Sequence, residues 1–166
     1  MKIAGKYEVA APPDRVYEML LDPVVLARAM PGCEALDAAG ADEYAMRMKM
    51  VLASMSGLFQ GKVRIADRNP PLSYRLIVEG TGKIGFMKGE GVLTLASASP
   101  TTVVSYEGDV QVGGTIAAVG QRLIETTARM LIKRFFEKIN GEAAPRASAA
   151  GSGDAGKEDR SQKTEG

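Results

Sequence analysis

The sequence predicts an α+β fold in which a curved antiparallel sheet wraps around a long C-terminal helix, with two short helices after the first strand. Three observations lead there. From residue 34 to about 112, apolar and polar positions alternate between turn signals, the mark of half-buried strands. From about Ile116 to Asn140 the apolar spacing switches to that of a helix. Between the first strand and the long β region, Pro12-Pro13 and Asp22-Pro23 start and stop short helical patterns.

Each element has a local cause. Ile3, Gly5, Tyr7 and Val9 share one face of a first strand, with Lys2, Lys6 and Glu8 opposite. Pro12 and Pro13 suit a first helical turn, and Asp14 suits its positive dipole end. Val16, Tyr17, Leu20 and Leu21 recur at helical spacing before Asp22-Pro23 ends the run. A second helix, about Val24 to Met30, stops at Pro31-Gly32. Turns are expected at Gly40, Ser56-Gly57, Asn69-Pro70-Pro71, Lys88-Gly89 and Ser99-Pro100. The strand over 43–52 turns Tyr44, Met46, Met48, Met50 and Leu52 one way, and Arg47 and Lys49 the other. Phe59, Gly61, Val63 and Ile65 follow, then Tyr74, Leu76 and Val78, then Leu93 and Leu95, then Val104, Tyr106 and Val110. Short connections make this an antiparallel meander with one wet face. Glycines at 61, 80, 89, 91 and 108 mark bends, bulges or close backbone approach.

Gly113-Gly114 ends the β region. Ile116, Val119, Leu123, Thr127, Met130 and Leu131 then form a helical stripe, extended by Phe135 and Ile139, that needs an apolar surface to cover it. Only the sheet offers one. Gly141 is the expected helix stop. Residues 141–166 hold no Val, Ile, Leu, Met, Phe, Tyr or Trp, and they predict a disordered polar tail behind a single domain over 1–140.

Composition excludes several functions. Histidine is absent, which removes imidazole bases, His-ligated metals and histidine pH switches. Cys33 is the only cysteine, so no intrachain disulfide or cysteine-rich metal site is expected, and the scattered carboxylates suggest no metal or acid–base pair. A net charge of +1, few aromatic residues and no Trp argue against nucleic acid. The N-terminus shows no apolar signal region, and no run of about 18 apolar residues occurs, so the expected location is cytoplasmic. Gly80-Thr81-Gly82-Lys83-Ile84-Gly85 matches a dinucleotide motif, but Phe86 to Ala96 reads as a strand where the motif needs a helix. Arg122, Arg129, Lys133, Arg134 and Lys138 on the last helix fit a solvated face, with attraction to anionic lipid or an acidic partner as the alternative.

Inward positions of these elements supply an expected ligand lining: Met48, Met50, Phe59, Val63, Tyr74, Leu76, Leu93, Tyr106, Leu123, Thr127 and Leu131, with Met30 and Cys33 at the mouth. Periodicity leaves open whether that interior is a cavity or solid core. Methionine, 9 residues in all and concentrated on one strand face, suits either an adaptable binding surface or an irregular core.

Six stretches, taken in order, resemble the G-subunit family of carbon monoxide dehydrogenase. They are Met30-Pro31-Gly32-Cys33-Glu34, Gly57-Leu58-Phe59-Gln60-Gly61, Asn69-Pro70-Pro71, Val112-Gly113-Gly114-Thr115-Ile116-Ala117, Val119-Gly120-Gln121-Arg122 and Phe135-Phe136. The resemblance covers roughly residues 1 to 140 and implies the START-like helix-grip fold. It implies a non-catalytic accessory protein beside a molybdenum hydroxylase of the carbon monoxide dehydrogenase type. The implied task is to recruit that enzyme to the inner face of the cell membrane and deliver a quinone, menaquinone or ubiquinone, carried as cargo without a covalent cofactor. Tyr74, Tyr106 or Thr127 would then hydrogen-bond a quinone carbonyl. The alternative is an adaptor that docks the dehydrogenase at the membrane and carries nothing. Family members often have a C-terminal extension thought to engage the membrane; the tail here offers no apolar residue for that purpose.

Overall fold

The computed structural model describes the backbone of residues 1–152 and the side chains through residue 143. Seven strands form one antiparallel sheet: β1 (Lys2–Val9), β2 (Cys33–Gly40), β3 (Glu43–Leu52), β4 (Met55–Asn69), β5 (Ser73–Gly82), β6 (Gly85–Ala98) and β7 (Thr101–Gly113). Their order across the sheet is β1-β7-β6-β5-β4-β3-β2. Strands β2 to β7 are thus a continuous meander, and β1 closes the far edge by pairing with β7 from Lys2↔Asp109 to Val9↔Thr102. Two short helices, α1 (Pro13–Leu21) and α2 (Pro23–Ala29), follow β1, and the long helix α3 (Gln121–Ser152) ends the described chain. Among the described residues no helix is long and apolar enough to cross a membrane.

The alternation read from the sequence sets the inward face of every strand. In β3, Met46, Met48 and Leu52 are buried while Arg47, Lys49 and Val51 are exposed. Phe59, Val63 and Ile65 of β4 and Leu93 and Leu95 of β6 are buried on the same side. Proline starts both short helices, and the Asp22 carboxylate accepts a hydrogen bond from Val24 N–H at 2.9 Å to cap α2.

Two expected turns lie elsewhere. The β3–β4 hairpin turns at Ala53-Ser54, where Ala53 takes a left-handed φ of 56°, so Ser56-Gly57 is already strand. The β5–β6 hairpin turns at Lys83-Ile84, and Lys88-Gly89 lies inside β6. In both places the glycine serves the sheet face instead of the turn. The dinucleotide-like Gly80–Gly85 segment is this second hairpin, and a strand follows it.

The helical region also departs from expectation at both ends. Residues Thr115–Val119 form a separate 3₁₀ turn, and Gly120, with φ 98°, breaks the chain before α3. At the other end α3 does not stop at Gly141 but continues to Ser152. Glycine within a helix costs about 1 kcal/mol relative to alanine, and three neighbours offset it. Asn140 Oδ1 accepts from Ala10 N–H at 2.8 Å, Glu142 pairs with Arg28 at 2.6 Å, and Ala143 is fully buried. Part of the segment expected to be a disordered tail is therefore helix, and residues 153–166 lie outside the described residues.

The core is concentrated under the middle of α3. Phe135, Phe136, Ile139 and Ala143 are buried there against β1, α1, α2 and the lower ends of β6 and β7. Phe136 stacks on Tyr7 with ring centroids 4.8 Å apart and on Tyr106 at 6.4 Å. The N-terminal half of α3 is different: Ile124, Thr127, Ala128 and Leu131 face inward yet are only half-buried. Replacing a buried Ile with Ala costs about 2–5 kcal/mol when it leaves a new void. We expect Ile139→Ala to cost that much in chemical denaturation and Leu131→Ala to cost less than about 1.5 kcal/mol, because Leu131 already borders open space.

Candidate functional site

The buried apolar residues do not form one continuous core. They divide into the cluster under α3 already described, a second around Met46, Met48 and Val63, and a third around Leu52, Phe59 and Ile116. A solid single-domain interior would join them. Between them lies a partly open cavity of about 340 Å³, roofed by α3 and floored by the inward face of the sheet.

The floor is hollow because its side chains are missing. Gly89 and Gly91 of β6 and Gly108 of β7 occupy inward positions, and Gly91 pairs directly with Gly108. The two backbones approach so closely that a Cβ on Gly91 would lie 2.7 Å from the Glu107 carbonyl oxygen. Gly89 is different: a Cβ there would meet nothing nearer than 3.8 Å. Its bare position faces space. Gly5 of β1 is kept bare by the Tyr106 hydroxyl, 2.7 Å from where a Cβ would stand.

The walls are apolar and deformable. Five of the nine methionines, Met30, Met46, Met48, Met50 and Met87, line the cavity. Their unbranched side chains adapt to varied shapes at low cost. Glu90, Glu107 and Asp109 border the floor through the sheet backbone, but they occupy outward positions. Glu90 pairs with Arg75 and Asp109 with Lys2 on the wet face. The carboxylates thus do not compromise the apolar interior.

Twelve of the residues expected from sequence line this cavity: Met30, Cys33, Met48, Met50, Phe59, Val63, Tyr74, Leu76, Leu93, Tyr106, Thr127 and Leu131. Leu123 does not; it is 36% exposed on the flank of α3. The break at Gly120 resets the helical phase, so Ile124 takes the inward position that an unbroken stripe through Ile116 and Val119 assigns to Leu123. Ala128, Ile132, Phe135 and Phe136 complete the inward side of α3, and Ile3, Leu36 and Val78 extend the strand faces. The glycines are the larger omission. The sequence reads them as bends, bulges or close backbone approach; close approach holds at Gly91 and Gly108, and the open space over Gly89 is what the sequence does not show.

Polar groups are few. The Tyr74 hydroxyl donates to the Leu20 carbonyl at 3.3 Å, and its ring meets Tyr17 edge-to-face at 5.8 Å. Burial, with a smaller contribution from Tyr17, pushes the Tyr74 phenol far above its ordinary pKa. Its one proton is committed to the α1 backbone. Tyr106 is half-buried, and burial followed by the neighbouring Tyr7 raises its pKa against the opposing effect of Arg129. It remains a neutral donor. Arg129 itself is held by Glu125 at 3.0 Å and by the Ala4 carbonyl at 3.3 Å, tying α3 to the edge strand beside Tyr106. Cys33, at the α2–β2 junction, is half-buried; desolvation raises its pKa more than a backbone contact with Ala35 lowers it. Its thiol is poorly ionised and unsuited to nucleophilic work.

Comparison with known proteins agrees with this geometry. The family described as the carbon monoxide dehydrogenase G-subunit (CoxG) matches residues 5–144. No curated protein matches the sequence. A conserved protein from Geobacillus kaustophilus has a similar solved structure, with TM-score 0.84 and 33% identity over 87% of this chain and 96% of that one. A START superfamily protein from Mycobacterium smegmatis gives TM-score 0.66 at 15% identity, covering 87% and 98% of the two chains. An aromatase/cyclase from Streptomyces sp. R1128 gives 0.65 at 18% identity, covering 91% and 98%. At such identities these two likenesses speak to the fold alone. The helix-roofed curved sheet is a START-like fold, and the chain belongs to the CoxG family, the G-subunits of carbon monoxide dehydrogenase.

Proposed function

We propose that this protein is a non-catalytic carrier of a membrane quinone that supports a molybdenum hydroxylase of the carbon monoxide dehydrogenase type at the cytoplasmic face of the membrane. The observation that carries the reading is the Met-rich cavity of about 340 Å³ beneath α3. Small-molecule pockets span roughly 300–1,000 Å³, and this volume is about ten times the ~30 Å³ share of a water molecule. An apolar interior of that size gives water no partners. A lipophilic guest replaces it favourably, with the excess of a long tail leaving through the opening.

The polar groups suit a quinone head. Quinone carbonyls only accept hydrogen bonds, so the site must offer donors and withhold carboxylates. Tyr74 is already engaged, which leaves Tyr106 and Thr127 as donors. The absence of histidine, the outward carboxylates and the poorly ionised Cys33 thiol support carriage over catalysis. The family description, which names carbon monoxide dehydrogenase, supports the choice of partner.

The direct test is organic extraction of gently purified protein followed by mass spectrometry. A quinone or related prenyl lipid should copurify in near-stoichiometric amount. Protein that emerges empty and ignores added quinone contradicts the reading. Gly89→Leu should fold with little loss of stability, because its Cβ has room, and should abolish quinone uptake by filling the floor. Tyr106→Phe should weaken quinone binding about 2- to 10-fold, the effect of one hydrogen bond worth ~0.5–1.5 kcal/mol. Cys33 should alkylate more slowly at pH 8 than a free thiol, gain rate only as pH rises past the ordinary thiol range, and slow further when quinone fills the cavity.

A further inference from the structure

The strand directions gather four segments at one end of the molecule. These are the β3–β4 turn, the β5–β6 turn, the 3₁₀ turn with the first turn of α3, and the N-terminus. Direct contacts join them. Ile116 N–H donates to the Ile84 carbonyl at 2.7 Å, and a Cβ on Gly57 would lie 3.0 Å from the Ile84 side chain.

This end has an unusual surface. Val51 is 63% exposed, and Leu58, Phe86 and Leu123 are exposed on the converging segments. The stretches 44–66, 80–89 and 110–124 contain no Asp or Glu. Lys49, Lys83, Lys88 and Arg122 stand on them without an ion pair among the described residues. The opposite end is unlike it: Asp14, Glu18 and Asp22 stand there, Asp42 and Asp67 are paired with Arg68 and Arg75, and exposed Val24 stands beside Asp22. The cavity runs toward the basic end, where Leu52, Met87, Val112, Ile116 and Ile124 line it.

We propose that this basic end is a docking surface for an anionic lipid bilayer. Lys49, Lys83 and Arg122, which make no ion pair among the described residues, draw the end to phosphate headgroups, and the apolar side chains on the same segments enter the acyl boundary. The surface needs no apolar tail, because the folded domain supplies the inserting groups. The proposal rests on the carrier reading in one respect: docking in this orientation sets the end of the cavity at the bilayer, so that an apolar guest passes between membrane and protein without crossing water.

The test is co-sedimentation of the full chain with phosphatidylcholine vesicles, with and without one-third phosphatidylglycerol. The protein should sediment with the anionic vesicles and far less with the neutral ones. Lys83→Glu with Arg122→Glu should lower the vesicle partition coefficient by about tenfold or more. Val51→Ser with Leu58→Ser should lower it at unchanged net charge. Lys133→Glu with Lys138→Glu, further along α3, should leave it near that of the parent protein. Quinone uptake in solution by the same variants should be unchanged, which separates this surface from the carrier reading. Failure to bind anionic vesicles overturns the proposal. So does binding that survives both end-surface variants, or an end surface that captures only an acidic protein.

Discussion

The half-anchored helix is the constraint on which the structure depends. The middle of α3 is gripped by Phe135, Phe136, Ile139 and Ala143 and fastened by Asn140 to Ala10 and by Glu142 to Arg28. That grip holds the N-terminal part over a sheet it does not fill. Half-buried Ile124 and Leu131 reach the Leu52–Phe59 and Met46–Val63 clusters, but over inward Gly89 neither surface has a side chain to close the gap. The hollow follows from where the large residues were placed and where they were withheld.

An empty enclosed void of this volume would cost about 8 kcal/mol at ~24 cal/mol per Å³. That is comparable to the 5–15 kcal/mol total stability typical of a domain. The partial opening moderates the cost, and a bound apolar guest would offset more of it. A ligand that fills the cavity would bind the folded chain and not the unfolded one, and so raise the unfolding free energy. In the carrier reading, the dense core under the middle of α3 lets the fold persist while the cavity loads and empties.

Much of this is legible in the sequence because strand alternation has a strict period and tolerates little ambiguity once a face is buried. Tyr44 to Leu52, Phe59 to Ile65 and Tyr74 to Val78 all point where alternation sends them. The helix boundaries are less legible. Nothing in the pattern announces that Gly120 resets the phase, so periodicity assigns Leu123 to the wrong face. Nothing local shows that Gly141 is overruled by Arg28 and Ala10, which lie over a hundred residues away in sequence. The cavity is the least legible feature. A glycine at an inward position looks the same in sequence whether a neighbouring backbone or empty space lies over it, and only the register of Gly91 with Gly108 beside open Gly89 separates the cases.

The most direct test of the hollow itself is a crystal of the ligand-free protein pressurised with xenon, a probe that enters apolar voids and ignores filled cores. The account predicts xenon density between Gly89 on the sheet and Thr127 and Ala128 on the helix. A structure in which α3 has settled onto the sheet, with methionines filling the interior and no xenon between those residues, would contradict it.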